Sequence, residues 1–212
     1  MTSKPATPPT SAGLFGLAWP LGLKAMMLHG IIVIDALLVA PLGETALAAM
    51  GLAGALAGLF LGVVGAFSNA TQIRIAQAFG AAGPVALKTG LVCGLVINFA
   101  VVVVGLALVL AFGDRIIDAF AHTEWIGVQA KAYLSVFLWV ILGEALGQCM
   151  SSHFNGCGNT RVPFYSYMIA LPVNVSLSFA LIHGHFGLPE LGVVGAAYGS
   201  VAATFARLAF IV

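Results

Sequence analysis

The stretch LFGLAWPLGLKAMMLHGIIVIDALLV, residues 14–39, decides the fold class of this chain. It is longer than the roughly 20 apolar residues that a helix needs to cross a bilayer, and its charged residues are Lys24 and Asp35. Lipid offers no water to the backbone N–H and C=O groups, so a run of this length is predicted to be an α-helix. The sequence therefore begins with a candidate membrane-spanning helix.

The composition extends this conclusion to the whole chain. Of its 212 residues, 61% are hydrophobic and 7% are charged, whereas a soluble domain carries roughly 25% charged residues. So few charges cannot cover a water-facing surface, which excludes a soluble enzyme, a nucleic-acid binder and a disordered chain. The net charge of +1 also provides no basic field for a polyanion.

Further apolar runs follow the first, and none shows the alternation over about ten residues that is typical of an outer-membrane barrel. The predicted fold class is all-α, a polytopic membrane protein with six transmembrane helices near residues 14–39, 45–71, 88–112, 126–150, 163–183 and 191–212. The Pro-, Thr- and Ser-rich residues 1–13 are predicted to be a disordered cytoplasmic tail, and residues 14–212 a six-helix transmembrane lobe.

The charges of the connecting segments indicate the orientation. Basic residues gather on one side of the predicted spans, namely Lys4, Arg74, Lys88, Arg161 and Arg207. Arg115 and Lys131 fall near the other side, which collects most of the acidic residues. By the positive-inside rule both termini are cytoplasmic, and the chain is predicted to be a multi-pass protein of the cell (inner or plasma) membrane.

Asp35 is the most informative residue within the spans, because an ionisable group in lipid is costly and usually functional. Its neighbours on the first helix are apolar, so another helix or water must supply a partner. A carboxylate in this position can exchange a proton or Na⁺, and Asp35 is the one candidate metal ligand of the chain. The alternative is a carboxylate that reaches the outer surface.

Polar residues on the fifth and sixth spans lie at a similar depth. Asn174 and Ser178 are four residues apart and share one face of the fifth helix, and Ser200 lies in the outer half of the sixth. Together with Asp35 they are predicted to converge at one level. The alternative is that these Ser and Asn side chains bond to backbone or neighbouring groups.

Lys24 and Glu144 lie at similar depth in the first and fourth spans. An unpaired charge is expensive in lipid, so they are predicted to form a structural or gating pair, with an aqueous cavity as the alternative for either side chain. Pro20 and Pro172 are the predicted helix bends, because proline removes a backbone hydrogen-bond donor.

Small residues form stripes along two of the predicted helices. Gly54, Gly58 and Gly62 align on the second, and the sixth carries Gly195, Gly199 and Ala203. Such stripes let helices approach closely, so packing is their predicted role.

The chain carries no recognisable catalytic motif. There is no Walker-type phosphate loop, no HExxH motif and no Cys spacing typical of a metal site. Gly199 followed by Ser200 suits an intramembrane serine protease, but no His lies at that depth in the fifth or sixth span. The chain is predicted not to be an enzyme and to use no cofactor besides a coupling ion.

Five segments carry a resemblance to a known family: LAWPLGLKAM (17–26), VIDALLVAPLGETALAAMGLAG (33–54), TQIRIAQAFGAAG (71–83), GCGNTRVP (156–163) and LPELGVVGAAYGSVAATFARL (188–208). In this order and spacing, the chain from about Leu17 to Val212 resembles the amino-terminal half of the multidrug and toxic compound extrusion (MATE) transporters. The resemblance covers nearly everything after the tail.

The resemblance implies roles for the polar cluster. Asp35 matches the family's first-helix carboxylate, implicated in binding H⁺ or Na⁺, and Asn174 matches a polar position beside it. Ser178 stands where members often carry Asn or Asp, and Ser200 where a Thr is common. These four residues form the expected cation-coupling site, and their single charge favours protonation over Na⁺.

Family members have twelve spans in two six-helix halves of one orientation, with a substrate cavity between the halves. The resemblance therefore implies one lobe of such a transporter, which needs a second six-helix half or a homodimer for a complete cavity. The sequence stops at RLAFIV, inside or just at the end of its last helix, so a truncated product is expected rather than a homodimer.

The function that the resemblance implies is secondary active multidrug efflux by antiport with H⁺ or Na⁺. The expected substrates are organic, mainly cationic, small molecules. The alternative is an inactive truncated half-transporter or a membrane assembly subunit. A lipid-linked sugar flippase and an intramembrane protease are more remote, because Lys24 is the one basic residue deep in a predicted span and Ser200 lacks a histidine.

Overall fold

The computed structural model of the chain describes residues 10–81 and 83–212. Within them lie six long helices, α1 (Ser11–Val39), α2 (Glu44–Ala81), α3 (Gly83–Phe120), α4 (Glu124–Gly156), α5 (Arg161–His183) and α6 (Val193–Ile211). Each is long and apolar enough to cross a membrane, which confirms the predicted all-α class. Short 3₁₀ turns, Ala40–Leu42 and His185–Gly187, lie between α1 and α2 and between α5 and α6.

The predicted disordered tail, residues 1–13, lies mostly outside the described residues. For residues 11–13 the prediction of disorder is wrong, because α1 already begins at Ser11. The Thr10 side chain accepts a hydrogen bond from the Gly13 backbone N–H at 3.3 Å and so caps the first turn of the helix.

The helices extend beyond the predicted spans at most of their ends. Apolar runs alone predicted spans over 45–71 and 88–112, whereas α2 continues to Ala81 and α3 runs from Gly83 to Phe120. A helix satisfies its own backbone hydrogen bonds, so it continues from lipid into the polar interface without penalty. Hydropathy therefore marks the lipid-embedded part of these helices and not their ends.

Helix α4 is central to the packing. It contacts α2, α3 and α6, while α5 packs along α6 and against α1. Small side chains allow the close contact of α2 with α4, and the buried ones on α2 include Ala46, Ala49, Ala53 and Ala57. Large apolar side chains such as Leu110 lie exposed on the outer faces, as expected of a surface in contact with lipid.

The two small-residue stripes have different surroundings. On α6, a Cβ added to Gly195 would lie 2.7 Å from backbone atoms of Leu181 and Ile182, so this stripe packs against α5 as predicted. On α2, a Cβ at Gly54, Gly58 or Gly62 would meet no atom of the described residues within 4 Å. Packing within this chain therefore explains the stripe on α6 and not the one on α2.

Helices α1 and α5 each continue through a proline. Pro20 is buried in α1, and the neighbouring Trp19 packs edge-on against Phe164 of α5 with ring centroids 5.5 Å apart. Pro172 lies on an exposed part of α5. Each proline removes one backbone donor, so both stay predicted bend points.

Replacing Gly195 by Ala is expected to destabilise the protein, whereas Gly58→Ala is expected to be tolerated. Both changes gain the same helix propensity, about 1 kcal/mol. At position 195 the new methyl group forces backbone atoms of α5 to move, at a cost of about 1–3 kcal/mol. Thermal unfolding midpoints of the two variants in one detergent check this, and equal midpoints would contradict the packing role of Gly195.

Candidate functional site

Asp35 accepts three side-chain hydrogen bonds from two neighbouring helices. Ser178 Oγ of α5 donates to Asp35 Oδ1 at 3.0 Å, and Ser200 Oγ of α6 donates to Oδ2 at 3.0 Å. Asn174 Nδ2 donates to Asp35 Oδ2 at 3.4 Å and to Ser200 Oγ at 3.2 Å. The structure thus brings together the four residues that the sequence placed at one level.

The cluster is buried inside the helix bundle. Asp35 is 5% exposed, and Asn174 and Ser178 are fully buried. The alternative of a carboxylate that reaches the outer surface is therefore wrong. The other alternative is that these Ser and Asn side chains bond to backbone or neighbouring groups. All three donate to the carboxylate instead of to backbone, and Asn174 also donates to its neighbour Ser200.

The close approach of α5 and α6 brings the three donor side chains within hydrogen-bond distance of Asp35. Gly195 lies against the backbone at Leu181, and Gly199 lies against Ser178, so the two helices run antiparallel in direct contact. A side chain at Gly199 would collide with Ser178 and push the helices apart. The antiparallel arrangement brings Ser200 of α6 to the level of Asn174 on α5.

One acceptor of the cluster is unused. Asn174 Oδ1 is buried and has no hydrogen-bond partner in the described part of the chain. Asp35 acts purely as an acceptor in this arrangement, as an ionised carboxylate does. A proton on Asp35 would convert one oxygen into a donor, and Asn174 Oδ1 could accept it after rotation of the amide. Na⁺ would instead bind lone pairs of the same oxygen atoms. The cluster has the chemistry to respond to either cation.

A cavity of about 560 Å³ lies beside the cluster, between α1, α2, α4, α5 and α6. Its volume falls within the roughly 300–1,000 Å³ of small-molecule sites. Its walls are mostly apolar, and α2 contributes glycines that leave backbone open to the cavity. The polar residues that line it are Asp35, Asn174, Ser200, Thr204, Tyr133, Glu144, Gln148, Tyr167, His29 and Arg207.

Glu144 pairs with Arg207, and the predicted pair of Lys24 with Glu144 is wrong. Arg207 Nη2 donates to Glu144 Oε1 at 2.7 Å, and Gln148 Nε2 donates to Oε2 at 3.1 Å. Lys24 forms no ion pair within residues 10–81 and 83–212, and its Nζ lies 5.5 Å from the centroid of the Tyr167 ring. The reason is that α4 packs along α6, whereas α1 packs mainly on α5.

Arg207 is the functional candidate that sequence reasoning missed. It is 1% exposed, its Cζ lies 4.6 Å from the Tyr167 ring centroid, and Gly147 of α4 leaves room for its guanidinium group. The sequence assigned Arg207 to the cytoplasmic charges. The overlooked signal is its position seven residues after Ser200, two helical turns along the same face of α6.

Other candidate chemistries have little support in the described residues. No histidine bonds to Ser200 there, and its hydroxyl is occupied by Asp35 and Asn174. Nor does that part of the chain hold a group of three His, Cys, Asp or Glu side chains able to bind a metal ion. Partial burial raises the pKa of the Cys157 thiol beyond the end of α4, which disfavours a reactive thiolate.

Comparison with known proteins extends these observations. The family model MatE matches residues 20–180. A protein of Rhodopseudomonas palustris described as probable multidrug resistance protein NorM is 31% identical over 183 residues, 85% of this chain and 38% of that protein. A protein of Bradyrhizobium diazoefficiens with the same description is 32% identical over 181 residues, with the same coverage. The chain therefore spans about 38% of the length of these curated relatives.

Solved structures share the fold over nearly the whole chain. A crystal structure of MATE in the bent conformation matches with a TM-score of 0.84 at 20% identity, covering 94% of this chain and 44% of that one. The outward-facing conformation of a multidrug resistance MATE family transporter of the MOP superfamily matches with a TM-score of 0.84 at 20% identity. That match covers 94% of this chain and 43% of the solved one. In both cases the match covers less than half of the solved chain.

Arg207→Gln alone is expected to destabilise the protein by about 3–5 kcal/mol, because it leaves the buried Glu144 without its cation. The double change Glu144→Gln with Arg207→Gln removes both charges and keeps an amide pair, so most of the stability should return. Lys131→Gln, which breaks the exposed pair with Asp118, is the control and should cost less than about 1 kcal/mol. Thermal unfolding midpoints measure all three, and a double variant as unstable as the single one would refute the pairing.

Proposed function

The chain belongs to the MatE family of membrane transporters, and from this premise we propose that it forms one six-helix lobe of a multidrug exporter driven by proton exchange. The observation that carries the proposal is the Asp35 carboxylate, buried beside the cavity and bonded by donors from α5 and α6. An ionisable group at that position can bind and release a cation while it connects its own helix to two others.

Proton binding at Asp35 would change how α1 is attached to α6. Helix α1 packs mainly on α5, and its smaller contact with α6 includes the bond from Ser200 to Asp35. Hydrogen bonds to a charged group are roughly twice as strong as neutral ones, so protonation weakens this attachment. If the attachment differs between inward- and outward-facing states, the proton shifts the balance between them and couples export to its gradient.

The proton is the favoured coupling ion. Asp35 brings one negative charge, and its partners Asn174, Ser178 and Ser200 are neutral. Glu144 also lines the cavity, but Arg207 neutralises it. One carboxylate suffices to bind a proton, whereas tight Na⁺ binding is favoured by further charged oxygen ligands, which the partners of Asp35 do not supply. Na⁺ stays the competing candidate.

The cavity is suited to organic solutes. Its walls are predominantly apolar, and a few polar groups converge on it, which is typical of small-molecule sites. The glycines of α2 that line it, Gly51, Gly54, Gly58, Gly62 and Gly65, give it a smooth wall with exposed backbone. The description of the relatives as multidrug resistance proteins supports organic compounds as the solutes, and the uncompensated carboxylate of Asp35 favours cationic ones.

A complete cavity requires a second six-helix lobe. This chain covers 38% of the Rhodopseudomonas palustris relative and 44% of the solved MATE chain, so the remainder of each is long enough for a second lobe. Six spans return a chain to the side on which it started, so a second lobe has the same orientation whether it is fused to this chain or is a second copy of it. The basic residues that gather on one side support cytoplasmic termini in the cell membrane. An inactive half-transporter is the competing proposal.

Asp35→Asn is expected to abolish gradient-driven efflux, because the amide preserves size and polarity but cannot exchange a proton at physiological pH. The chain would be expressed with a second copy of itself fused in frame as the second lobe. Efflux of a fluorescent organic cation from cells without their own exporters is the measurement. Asp118→Asn, an exposed carboxylate outside the cavity, is the matched control.

Wild-type efflux by the Asp35→Asn variant would refute the coupling role. If the wild type and both variants are expressed normally and none of them exports the dye, the result would favour the inactive half-transporter.

A pH gradient alone is expected to drive uptake of the same dye into vesicles that contain the purified transporter. A Na⁺ gradient at constant pH should leave uptake at the level of protein-free vesicles. The reason is that the single negative charge of the Asp35 cluster favours binding of a proton over binding of Na⁺. Dye fluorescence after each imposed gradient is the measurement. The reverse pattern would assign Na⁺ as the coupling ion.

A further inference from the structure

Arg207 has unused hydrogen-bond donors at the wall of the cavity. Nη2 is bonded to Glu144 Oε1 at 2.7 Å, but Nε and Nη1 are buried and have no acceptor among the described residues. The Tyr167 ring, 4.6 Å from Cζ, attracts the positive charge but offers no lone pair to these N–H groups. Buried donors without an acceptor are costly, so a ligand that supplies one is favoured here.

The surroundings of Arg207 carry more positive than negative charge. Lys24 and Arg207 both lie over the Tyr167 ring, and Glu144 is the carboxylate that contacts the guanidinium group. Gln148, the other partner of Glu144, is neutral. One positive charge is therefore unmatched among the described residues around this ring, and in a low-dielectric interior it attracts an anion.

The same cavity joins Arg207 to Asp35. Ser200, which bonds Asp35, and Arg207 are seven residues apart on α6 and therefore share a face, about 10 Å apart along the helix axis. Asn174 and Tyr167 repeat this spacing on α5. A drug-sized solute is long enough to lie between the two levels.

We propose that Arg207 binds the carboxylate group of an amphipathic solute in this cavity. A carboxylate is a monoanion, so it matches the single unmatched charge, and it accepts a charge-assisted bond from Nε or from Nη1. Glu144 competes with the solute for the guanidinium group and keeps Arg207 paired when the cavity is empty. The inference rests on the proposed function in one respect, that the cavity receives organic solutes.

Equilibrium binding of two matched dyes to the purified full chain in detergent tests this inference. The probes are a xanthylium dye with a free carboxyl group and the ethyl ester of the same dye, which differ in that carboxylate. Fluorescence anisotropy gives the Kd of each. The wild-type chain should bind the free carboxylate about tenfold more tightly than the ester, the gain expected of a charge-assisted hydrogen bond.

Three variants assign the preference to Arg207. Glu144→Gln removes the competing carboxylate, so the preference for the free carboxylate should increase severalfold. The double variant with Glu144→Gln and Arg207→Gln should lose most of the preference, because the donors of Arg207 are gone and the charge of Lys24 alone remains at the Tyr167 ring. Arg207→Lys keeps the charge and a partner for Glu144 but loses Nε and Nη1, so it tests the same point if the double variant does not fold. Arg115→Gln, an exposed arginine outside the cavity, is the matched control and should retain the wild-type preference.

Equal binding of the two dyes by the wild-type chain, binding of neither, or a preference as large as that of the wild type in the double variant or in Arg207→Lys, would overturn the carboxylate site. These results are separate from the efflux experiment, because binding is measured without a gradient. Asp35-dependent efflux without a carboxylate preference would refute the Arg207 site alone. A carboxylate preference in a chain that never exports would refute the export function and leave the binding site in place.

Discussion

The scarcity of water in the bilayer core is the constraint on which the rest of this structure depends. A charged group in that environment is costly unless the protein or a water-filled cavity solvates it. The described residues meet this requirement twice, with the donors around Asp35 and with the pair of Glu144 and Arg207. Each cluster also connects α6 to another helix, to α1 at Asp35 and to α4 at Glu144. The bonds that neutralise the charges are thus also contacts that arrange the helices.

Both clusters follow from one spacing on two antiparallel helices. Asn174 and Tyr167 are seven residues apart on α5, and Ser200 and Arg207 are seven residues apart on α6. Two helical turns separate the members of each pair, so four side chains from two helices meet at two levels of one cavity. The contact of Gly199 with Ser178 holds the two helices close enough for this arrangement.

The glycine stripes show where sequence patterns stop being informative. The stripes on α2 and α6 have the same four-residue period, and the sequence predicted packing for both. Gly195 and Gly199 do pack against α5. Gly54 and Gly58 instead line the cavity, and a Cβ added to either would have no atom of the described residues within 4 Å. Period identifies the face on which the glycines lie, but the position of the neighbouring helices decides whether that face is covered.

The sequence by itself determined the six helices and the level at which polar residues meet, because apolar length fixes what crosses the bilayer and helical rise fixes depth. Depth alone sufficed to predict the hydrogen-bond partners of Asp35, since the polar residues at that level on α5 and α6 are its partners. It did not suffice for Glu144, because depth says nothing about lateral neighbours. The tertiary structure decided that α4 lies beside α6, so Arg207 and not Lys24 became its counter-ion.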